Sequence, residues 1–472
     1  MVEKWLVLKF GGTSVANRRH WETIASIAHA RRSDGYRVLL VCSAVSSVTS
    51  LLDTLSKRPD PAPILAEILQ IHRELSEQLG VNFDHQLNEA KQHISHCLDQ
   101  NTEMPGPEWK AALLATGEWL STRLGAEFLQ QSLDVDWVDA REVLEVLSEP
   151  DRSQARQWLS ATCEPGKDDK LRSLWEERHP VLITQGYVAR TSQGKTALLG
   201  RGGSDTSAAL FAGRLGAEWL EIWTDVPGLF SADPRQIPEA RLLKEVDFAE
   251  ALEMAASGAR VIQSRCIRAA SATGTPVLIR DISRREVKGT RISSKLSAGE
   301  GVKTITCQLN MAVLLLENLD VRHQVGFLAG VFETFMQLGV SVDLVATSET
   351  TTTVAVNREA NHLDNKELAT LVRDLAEHCR VKLFDDCVCV NLVGRGIRTS
   401  LAGLQSTLAH FEKQPLLMLS QSANDLCLSM LVKAGDQDSL LRSAHDALIP
   451  GEDSGPEHGF GDSWQQIQSA YE

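Results

Sequence analysis

Trp5-Leu6-Val7-Leu8-Lys9-Phe10 is an apolar run broken by a single cation, and it stops at Gly11-Gly12-Thr13-Ser14. The same design recurs along the chain. Arg37-Val38-Leu39-Leu40-Val41-Cys42 ends in Ser43, Val181-Leu182-Ile183-Thr184 ends in Gln185-Gly186, and Trp219-Leu220-Glu221-Ile222-Trp223 ends in Thr224-Asp225; Pro276-Val277-Leu278-Ile279-Arg280 follows. Runs this short with apolar residues on both faces predict buried strands of a mainly parallel sheet, covered by helices on both sides. Helical stretches alternate with them; one is Asp205 to Leu215, with Ser204 or Asp205 expected as N-cap and Gly216 as its stop. The alternation places the chain in the α/β class with a doubly wound sheet. In such sheets ligands bind beyond the carboxyl ends of the strands, where these Gly, Ser, Thr and Asp residues cluster.

Composition narrows the function. At 472 residues there is room for roughly two to four domains. A formal net charge of −14 argues against a broad nucleic-acid surface, so any phosphate ligand must meet a local cluster of Lys, Arg and backbone N–H groups. The nine cysteines, Cys42, Cys97, Cys163, Cys266, Cys307, Cys379, Cys387, Cys389 and Cys427, are odd in number and form no C-x-x-C pair. Neither a disulfide framework nor a thiolate zinc site is indicated, and a reducing cytoplasm is the expected location. No apolar run approaches the ~20 residues of a membrane span, and the amino terminus runs straight into a strand with no signal-peptide pattern. His93 and His96 read as a solvated helix face, and no metal site built from protein side chains is expected.

Polar stretches at 57–63 and 101–107 bracket a helical hairpin, and 293–302 reads as a domain boundary. Beyond it Leu328-Ala329-Gly330 recurs as Leu401-Ala402-Gly403, and Thr347-Ser348 falls opposite Ser420-Gln421 at the same spacing. That weak repeat suits two small βαββαβ modules. The expected divisions are 1–296, 302–383 and 384–449, with 450–472 as a flexible acidic tail or linker.

Four motifs carry chemistry. Lys9-Phe10-Gly11-Gly12-Thr13-Ser14 sets a cation beside glycines whose N–H groups can approach phosphate oxygens. Leu199-Gly200-Arg201-Gly202-Gly203-Ser204-Asp205-Thr206-Ser207 gathers a cation, a turn, a carboxylate and a helix amino terminus, which suits anions. Trp223-Thr224-Asp225-Val226-Pro227-Gly228 leads through Phe230 to Asp233-Pro234-Arg235, a strand end and two turns. Thr116-Gly117-Glu118 offers a carboxylate at an expected helix start. Gly194-Lys195-Thr196 imitates the end of a P-loop, but Ala189 stands where that motif needs glycine.

Together, in this order, these motifs resemble the aspartate kinase family of the amino-acid-kinase superfamily over nearly the whole chain. The likeness is to the lysine-sensitive type, whose two carboxy-terminal ACT modules match the repeat. The resemblance implies an amino-acid-kinase fold followed by two ferredoxin-like modules, with ATP and Mg²⁺ phosphorylating the side-chain carboxylate of L-aspartate. It gives catalytic roles to Lys9 and Asp205. Aspartate is assigned to Ser43, Thr49, Glu118, Tyr187, Arg201 and Ser204. The nucleotide is assigned to Lys9, Gly11, Gly12, Thr224, Asp225, Phe230, Arg235 and Arg260. An amino-acid effector, lysine in relatives of this type, falls to Phe327, Leu328, Val342, Asp343, Ser348 and Glu349. A homodimer or dimer of dimers through the ACT modules is implied, as is feedback on the first step of lysine, threonine and methionine synthesis.

Departures are local. Gly258-Ala259-Arg260-Val261-Ile262-Gln263-Ser264 stands where relatives carry G-A-K-V-L-H-P, and Phe230 replaces a common Tyr. Val45-Ser46-Ser47 replaces smaller residues, and Val321 and Gln324 replace Met and Ser near the effector positions. Some relatives continue into a second biosynthetic enzyme, for which the acidic end is a fitting linker. The reading from another class is a non-catalytic amino-acid sensor on a degenerate kinase, marked by loss of Lys9 or Asp205; both are present.

Overall fold

The computed structural model describes residues 3–471 apart from 56, 58–59, 100–105, 260, 295–298, 318–325, 401–414, 436 and 452–458. The chain forms two compact units. The first comprises Met1–Leu229, Lys244–Leu252 and Arg260–Leu296; the second comprises Phe230–Leu243, Glu253–Ala259 and Ser297–Glu472.

Eleven strands come first in chain order: β1 (Lys4–Phe10), β2 (Tyr36–Cys42), β3 (Val135–Trp137), β4 (Val181–Gln185), β5 (Val188–Arg190), β6 (Thr196–Leu198), β7 (Trp219–Thr224), β8 (Arg241–Leu243), β9 (Glu245–Asp247), β10 (Val277–Asp281) and β11 (Thr290–Ser293). Eight of them make one sheet in the order β3-β4-β2-β1-β7-β10-β11-β9. Every neighbouring pair is parallel except β10 with β11. The apolar runs are buried on both faces because helices cover both, which is why they show no alternation. β1 takes β2 on one side and β7 on the other, so the winding direction reverses there. That reversal opens a crevice at the carboxyl ends of β1, β2 and β7.

Helix Pro107–Leu129 is the longest in this unit and is buried along most of its length. Two glycines let it approach its neighbours. A Cβ at Gly125 would lie 2.1 Å from the Trp21 ring, and one at Gly117 would lie 3.0 Å from the Ala44 side chain. The second contact brings the adjoining residue, Glu118, to the loop after β2.

The second unit holds β12 (Gly301–Glu317), β13 (Leu344–Thr347), β14 (Thr351–Asn357), β15 (Arg380–Arg395), β16 (Met418–Gln421), β17 (Cys427–Lys433) and β18 (Phe460–Ser463). Six of these form an antiparallel sheet in the order β13-β14-β12-β15-β17-β16. β12 and β15 are long enough to serve two ACT modules each. Met311–Glu317 of β12 pairs with β14 and with Arg380–Phe384 of β15, and with helices Phe327–Gln337 and Asn365–Leu375 this half is one βαββαβ module. Gly301–Gln308 pairs with Cys389–Arg395, so the other module takes its fourth strand from the start of the region. The register shifts around Gln308–Val313, with Asn310 and Asp386 in the left-handed region (φ 57° and 56°), mark where one half passes into the other. The modules are therefore interleaved rather than consecutive, which differs from the division at 383/384. The second copy of the repeat, Leu401-Ala402-Gly403, lies outside the described residues.

The carboxy-terminal segment also differs from its expectation as a flexible tail. β18 pairs with β8, and helix Trp464–Tyr471 follows it directly. Phe460 and Ile467 are buried, and Ser463 caps the helix, its hydroxyl accepting from Gln466 N–H while the Gln466 side chain accepts from Ser463 N–H.

Candidate active site

The crevice is built from loops that turn back at strand ends. After β1, Ser14 N–H returns to Gly11 O and Ser46 N–H reaches Gly12 O. A Cβ at Gly12 would lie 2.8 Å from Ala44 O, so only glycine lets the two loops meet. The amides of Gly11 and Gly12 donate to no group among the described residues. After β2, Ser43 and Thr49 are half-buried around the same loop. After β4, Gly186 N–H holds Cys42 O, and Tyr187 takes φ 67° with its N–H on Ser207 Oγ.

Helix Gly203–Leu215 carries the next group. It begins two residues earlier than expected, and its cap is Gly202 in the left-handed region (φ 64°) with no side-chain cap. Ser204 and Asp205 therefore sit in the first turn and are free for other partners. Gly186 packs so closely on Ser204 that a Cβ there would lie 2.6 Å away. Asp205 Oδ1 stands 2.6 Å from Lys9 Nζ, both residues being 9% exposed. The contact is an ion pair off hydrogen-bond angle, since that oxygen has no aligned donor. A Cβ at Gly11 would come 3.5 Å from Lys9 Nζ, which puts the ammonium at the mouth of the Gly-Gly turn.

Glu118 lies in the middle of its helix, not at a helix start, and is 3% exposed. Burial is the first cause pushing its carboxyl up to about 8; the N–H groups of Ala44 and of Glu118 itself pull the other way. Its Oε2 is buried without a partner. Burial also raises the Tyr187 hydroxyl, with Glu118 and Asp53 adding to the effect, which places that phenol within the field of the carboxyl. Arg201, between left-handed Gly200 and Gly202, is exposed and has no ion-pair partner among the described residues. Lys9 with Asp205, Gly186 with Ser204, Glu118 with Ala44, and Gly12 with Ala44 are close approaches that chain neighbours join into one cluster, with Tyr187 in the field of Glu118. Cys42 is no nucleophile here, because burial pushes its thiol up to about 12.

Thr224 and Asp225 end β7 beside the end of β1, with Thr224 Oγ1 donating to Asp225 Oδ1 at 3.1 Å. Phe230 and Arg235 fall in the second unit. Phe230 is buried with its ring edge-on to Trp464 at 5.6 Å, while Arg235 is exposed and unpaired among the described residues. Arg260, Val321 and Gln324 lie outside the described residues. Of the effector positions, Phe327 and Leu328 open helix Phe327–Gln337, Val342 joins the module core, and Ser348 and Glu349 turn between β13 and β14. Asp343 accepts from Asn357 N–H at 2.6 Å, and burial pushes its carboxyl up. Sequence reading missed Ala44 and Gly186, whose roles lie in backbone contacts; Gly186 directly after a strand was the available signal.

The chain is 29% identical to lysine-sensitive aspartokinase 3 of Escherichia coli (strain K12) over 94% of its length and 99% of that protein. It is 26% identical to bifunctional aspartokinase/homoserine dehydrogenase 1, chloroplastic, of Arabidopsis thaliana, over 94% of its length and 51% of that protein. Its fold matches E. coli aspartokinase III in complex with aspartate and ADP (R-state) at TM-score 0.80 and 28% identity, covering 95% of this chain and all of that one. The complex of the same enzyme with lysine and aspartate (T-state) matches at TM-score 0.76 and 27% identity, covering 94% of this chain and 99% of that one. Residues 4–281, more than half of the chain, match the amino acid kinase family, and the chain belongs to that family.

Proposed function

We propose that the protein is an aspartate kinase, transferring the γ-phosphoryl group of ATP to the side-chain carboxylate of L-aspartate to give 4-phospho-L-aspartate and ADP. The observation that carries this reading is a cluster that pairs Lys9 internally but leaves the buried Glu118 Oε2 without a partner, with the exposed Arg201 guanidinium, three residues before Ser204, also unpaired among the described residues. Lys9 is held by Asp205, while the Glu118 carboxyl and the Arg201 guanidinium have no counter-ion. An amino acid supplies the missing charges: its α-ammonium to Glu118 and a carboxylate to the fork of Arg201. Ser43, Thr49, Ser204 and Tyr187 would complete that pocket.

The acceptor carboxylate, with an ordinary pKa near ~3.9, is ionised at neutral pH and needs no general base. One of its oxygens attacks the γ-phosphorus as the bond to the β–γ bridging oxygen breaks, and ADP leaves with that electron pair. The chain's task is to bring an anion to a polyanion and to stabilise charge on the transferring group. Lys9, oriented by Asp205, would sit on that group, with the Gly11 and Gly12 amides on phosphate oxygens. Thr224, Asp225, Phe230, Arg235 and Arg260 would serve the rest of the nucleotide. Mg²⁺ would be carried by the ATP phosphates. Bound there, Mg²⁺ supplies charge neutralisation at the phosphate oxygens.

Feedback by lysine fits the second unit. The exposed Asp343 would offer a carboxylate to a cationic effector, beside Phe327, Leu328, Val342, Ser348 and Glu349. Leu328, Met336, Leu338 and Val345 are exposed, Met336 by 71%, an apolar face that fits association of two copies through their ACT modules. A cytoplasmic location fits nine cysteines that are all free; no helix among the described residues is long and apolar enough to cross a membrane.

The test is formation of aspartyl hydroxamate from ATP, Mg²⁺, L-aspartate and hydroxylamine, with and without lysine or threonine. The expected result is product from the wild type, none from Lys9→Ala, and inhibition by lysine. ATP binding without aspartyl product would sink the reading.

A further inference from the structure

The stretch from Trp223 to Arg235 crosses from one compact unit to the other between Leu229 and Phe230. Thr224 and Asp225 end a strand of the kinase sheet, whereas the loop bearing Arg235 belongs structurally to the regulatory unit. Four separate holds fix that loop, and three of them come from residues beyond 449.

The first hold is the final helix. Trp464 stands edge-on to Phe230, its N–H donates to Ala240 O at 2.9 Å, and Gln465 N–H donates to Pro238 O at 3.1 Å. The second is the pairing of β18 with β8, Phe460 opposite Leu243 and Ser463 opposite Arg241. The third is the Arg241 guanidinium, 9% exposed as a residue, which donates to the carbonyls of Pro450 (2.9 Å), Gly451 (2.7 Å) and Gly461 (3.1 Å) and lies over the Phe460 ring. One cation thus ties down both the departure of the chain after residue 449 and its return at 461. The fourth hold comes from helix Gln437–Leu448. Ser231 Oγ accepts from Arg241 N–H at 2.8 Å and shares a hydrogen bond with His445 Nε2, also 2.8 Å away. Within this frame the Arg235 side chain is exposed and pairs with nothing among the described residues, although its N–H is fixed on Asp233 Oδ1.

A cap over apolar surface would need Phe460, Trp464 and Ile467, but not a buried guanidinium spent on three carbonyls of two segments. We propose that β18 and helix Trp464–Tyr471 form an intramolecular clamp that positions the loop carrying Arg235 for ATP binding, with Trp464 and Arg241 as positioning residues. This rests on the reading of Arg235 as a nucleotide ligand. The clamp acts on nucleotide affinity and leaves the aspartate pocket, built from Glu118, Arg201 and their neighbours, untouched.

The experiment uses the full chain with Trp464→Ala, Trp464→Phe and Arg235→Ala, singly and with the two alanine changes combined, and measures both KM values together with calorimetric ADP binding. Trp464→Ala is expected to raise KM for ATP about tenfold, since small misplacements of a positioning group carry penalties of this size. KM for aspartate should stay within about twofold. Trp464→Phe, which keeps an aromatic edge, should recover most of the loss. In the Arg235→Ala background Trp464→Ala should add nothing further, because the clamp works through that guanidinium. Additive effects, or a folded Trp464→Ala protein that binds ADP like wild type, would overturn the proposal. If Trp464→Ala does not fold, Arg241→Lys decides instead, keeping the charge but not the fork: the same selective rise in KM for ATP supports the clamp and an unchanged KM refutes it. Absence of aspartyl product from the wild type would count against the aspartate reading alone, and ADP binding would still decide the clamp.

Discussion

Asp205 and Glu118 are both carboxylates on buried helices, 9% and 3% exposed, and the protein meets their charge in opposite ways. Asp205 has Lys9 at 2.6 Å, so its charge is matched before any ligand arrives. Glu118 has only amide donors, an unpartnered Oε2 and a carboxyl pushed up to about 8 by burial. At neutral pH, without ligand, it is mostly protonated. A preset pair can serve a charge that develops during reaction, because nothing needs to reorganise when it appears. An unmatched buried acid serves a charge that the ligand brings, and its desolvation cost is offset only on binding. On the proposed reading, partner count would give the paired end to phosphoryl transfer and the unpaired end to amino-acid recognition.

Breaking the paired end should have the largest effect. Lys9→Ala removes the cation and leaves Asp205 buried and uncompensated; a fall in kcat of at least about a thousandfold is expected. Asp205→Asn keeps Lys9 but loosens it, and should lower kcat by roughly a hundredfold with KM for aspartate little changed. Steady-state hydroxamate kinetics separate these results, and a change confined to KM would move Lys9 to the recognition end.

The unpaired end should respond through aspartate. Glu118→Gln keeps the shape without the charge, and kcat/KM for aspartate should fall by about a hundredfold, carried mainly by KM. The wild type has a second signature. If Glu118 receives the α-ammonium as proposed, it must be ionised, so below about pH 8 binding would release a proton. KM for aspartate should therefore fall roughly tenfold per pH unit between about pH 6 and pH 8 and then level, and Glu118→Gln should abolish that slope. A flat wild-type profile would mean that Glu118 is already ionised or is not the ammonium partner. Stability gives the same sign: with the folded pKa raised from 4.5 to about 8, the contribution of this group is present below 4.5 and lost as pH rises through 8. The free protein should consequently gain more melting temperature from saturating aspartate at pH 8 than at pH 6.

Much of this was legible in the chain itself. The strand ends announced the parallel sheet, and Lys9, Arg201 and Asp205 lie in local motifs whose glycines have visible geometric uses. The placement of Glu118 was not legible, because its helix is buried nearly all round and has no polar face to mark its start. The capping role expected of Ser204 and Asp205 failed because Gly202 ends the turn in the left-handed region and releases both side chains. The interleaved modules escaped for a different reason. Gly301–Gln308 pairs with Cys389–Arg395, and no local pattern says which distant strand a strand will join. In the last segment Gly, Pro and acidic residues mask three anchors, Phe460, Trp464 and Ile467, two of which share a helix face at i, i+3.

The smallest expected effect lies at Arg201, and it tests whether the recognition end reads shape as well as charge. Left-handed Gly200 and Gly202 flank the residue, so its backbone is fixed while its guanidinium is open to solvent. Arg201→Lys keeps the positive charge and loses the planar fork that meets a carboxylate with two parallel N–H bonds. Water competes at an exposed site, so the loss should amount to about one hydrogen bond to a charged group, on the order of 1.4 kcal/mol or a tenfold rise in KM for aspartate. The value of kcat should hardly move, because the bound carboxylate carries the same charge before and during transfer. A fall in kcat at constant KM would instead put Arg201 on the transferring phosphoryl group, at the paired end beside Lys9. No change in either constant would remove it from the crevice and leave Glu118 as the sole charged determinant of aspartate binding.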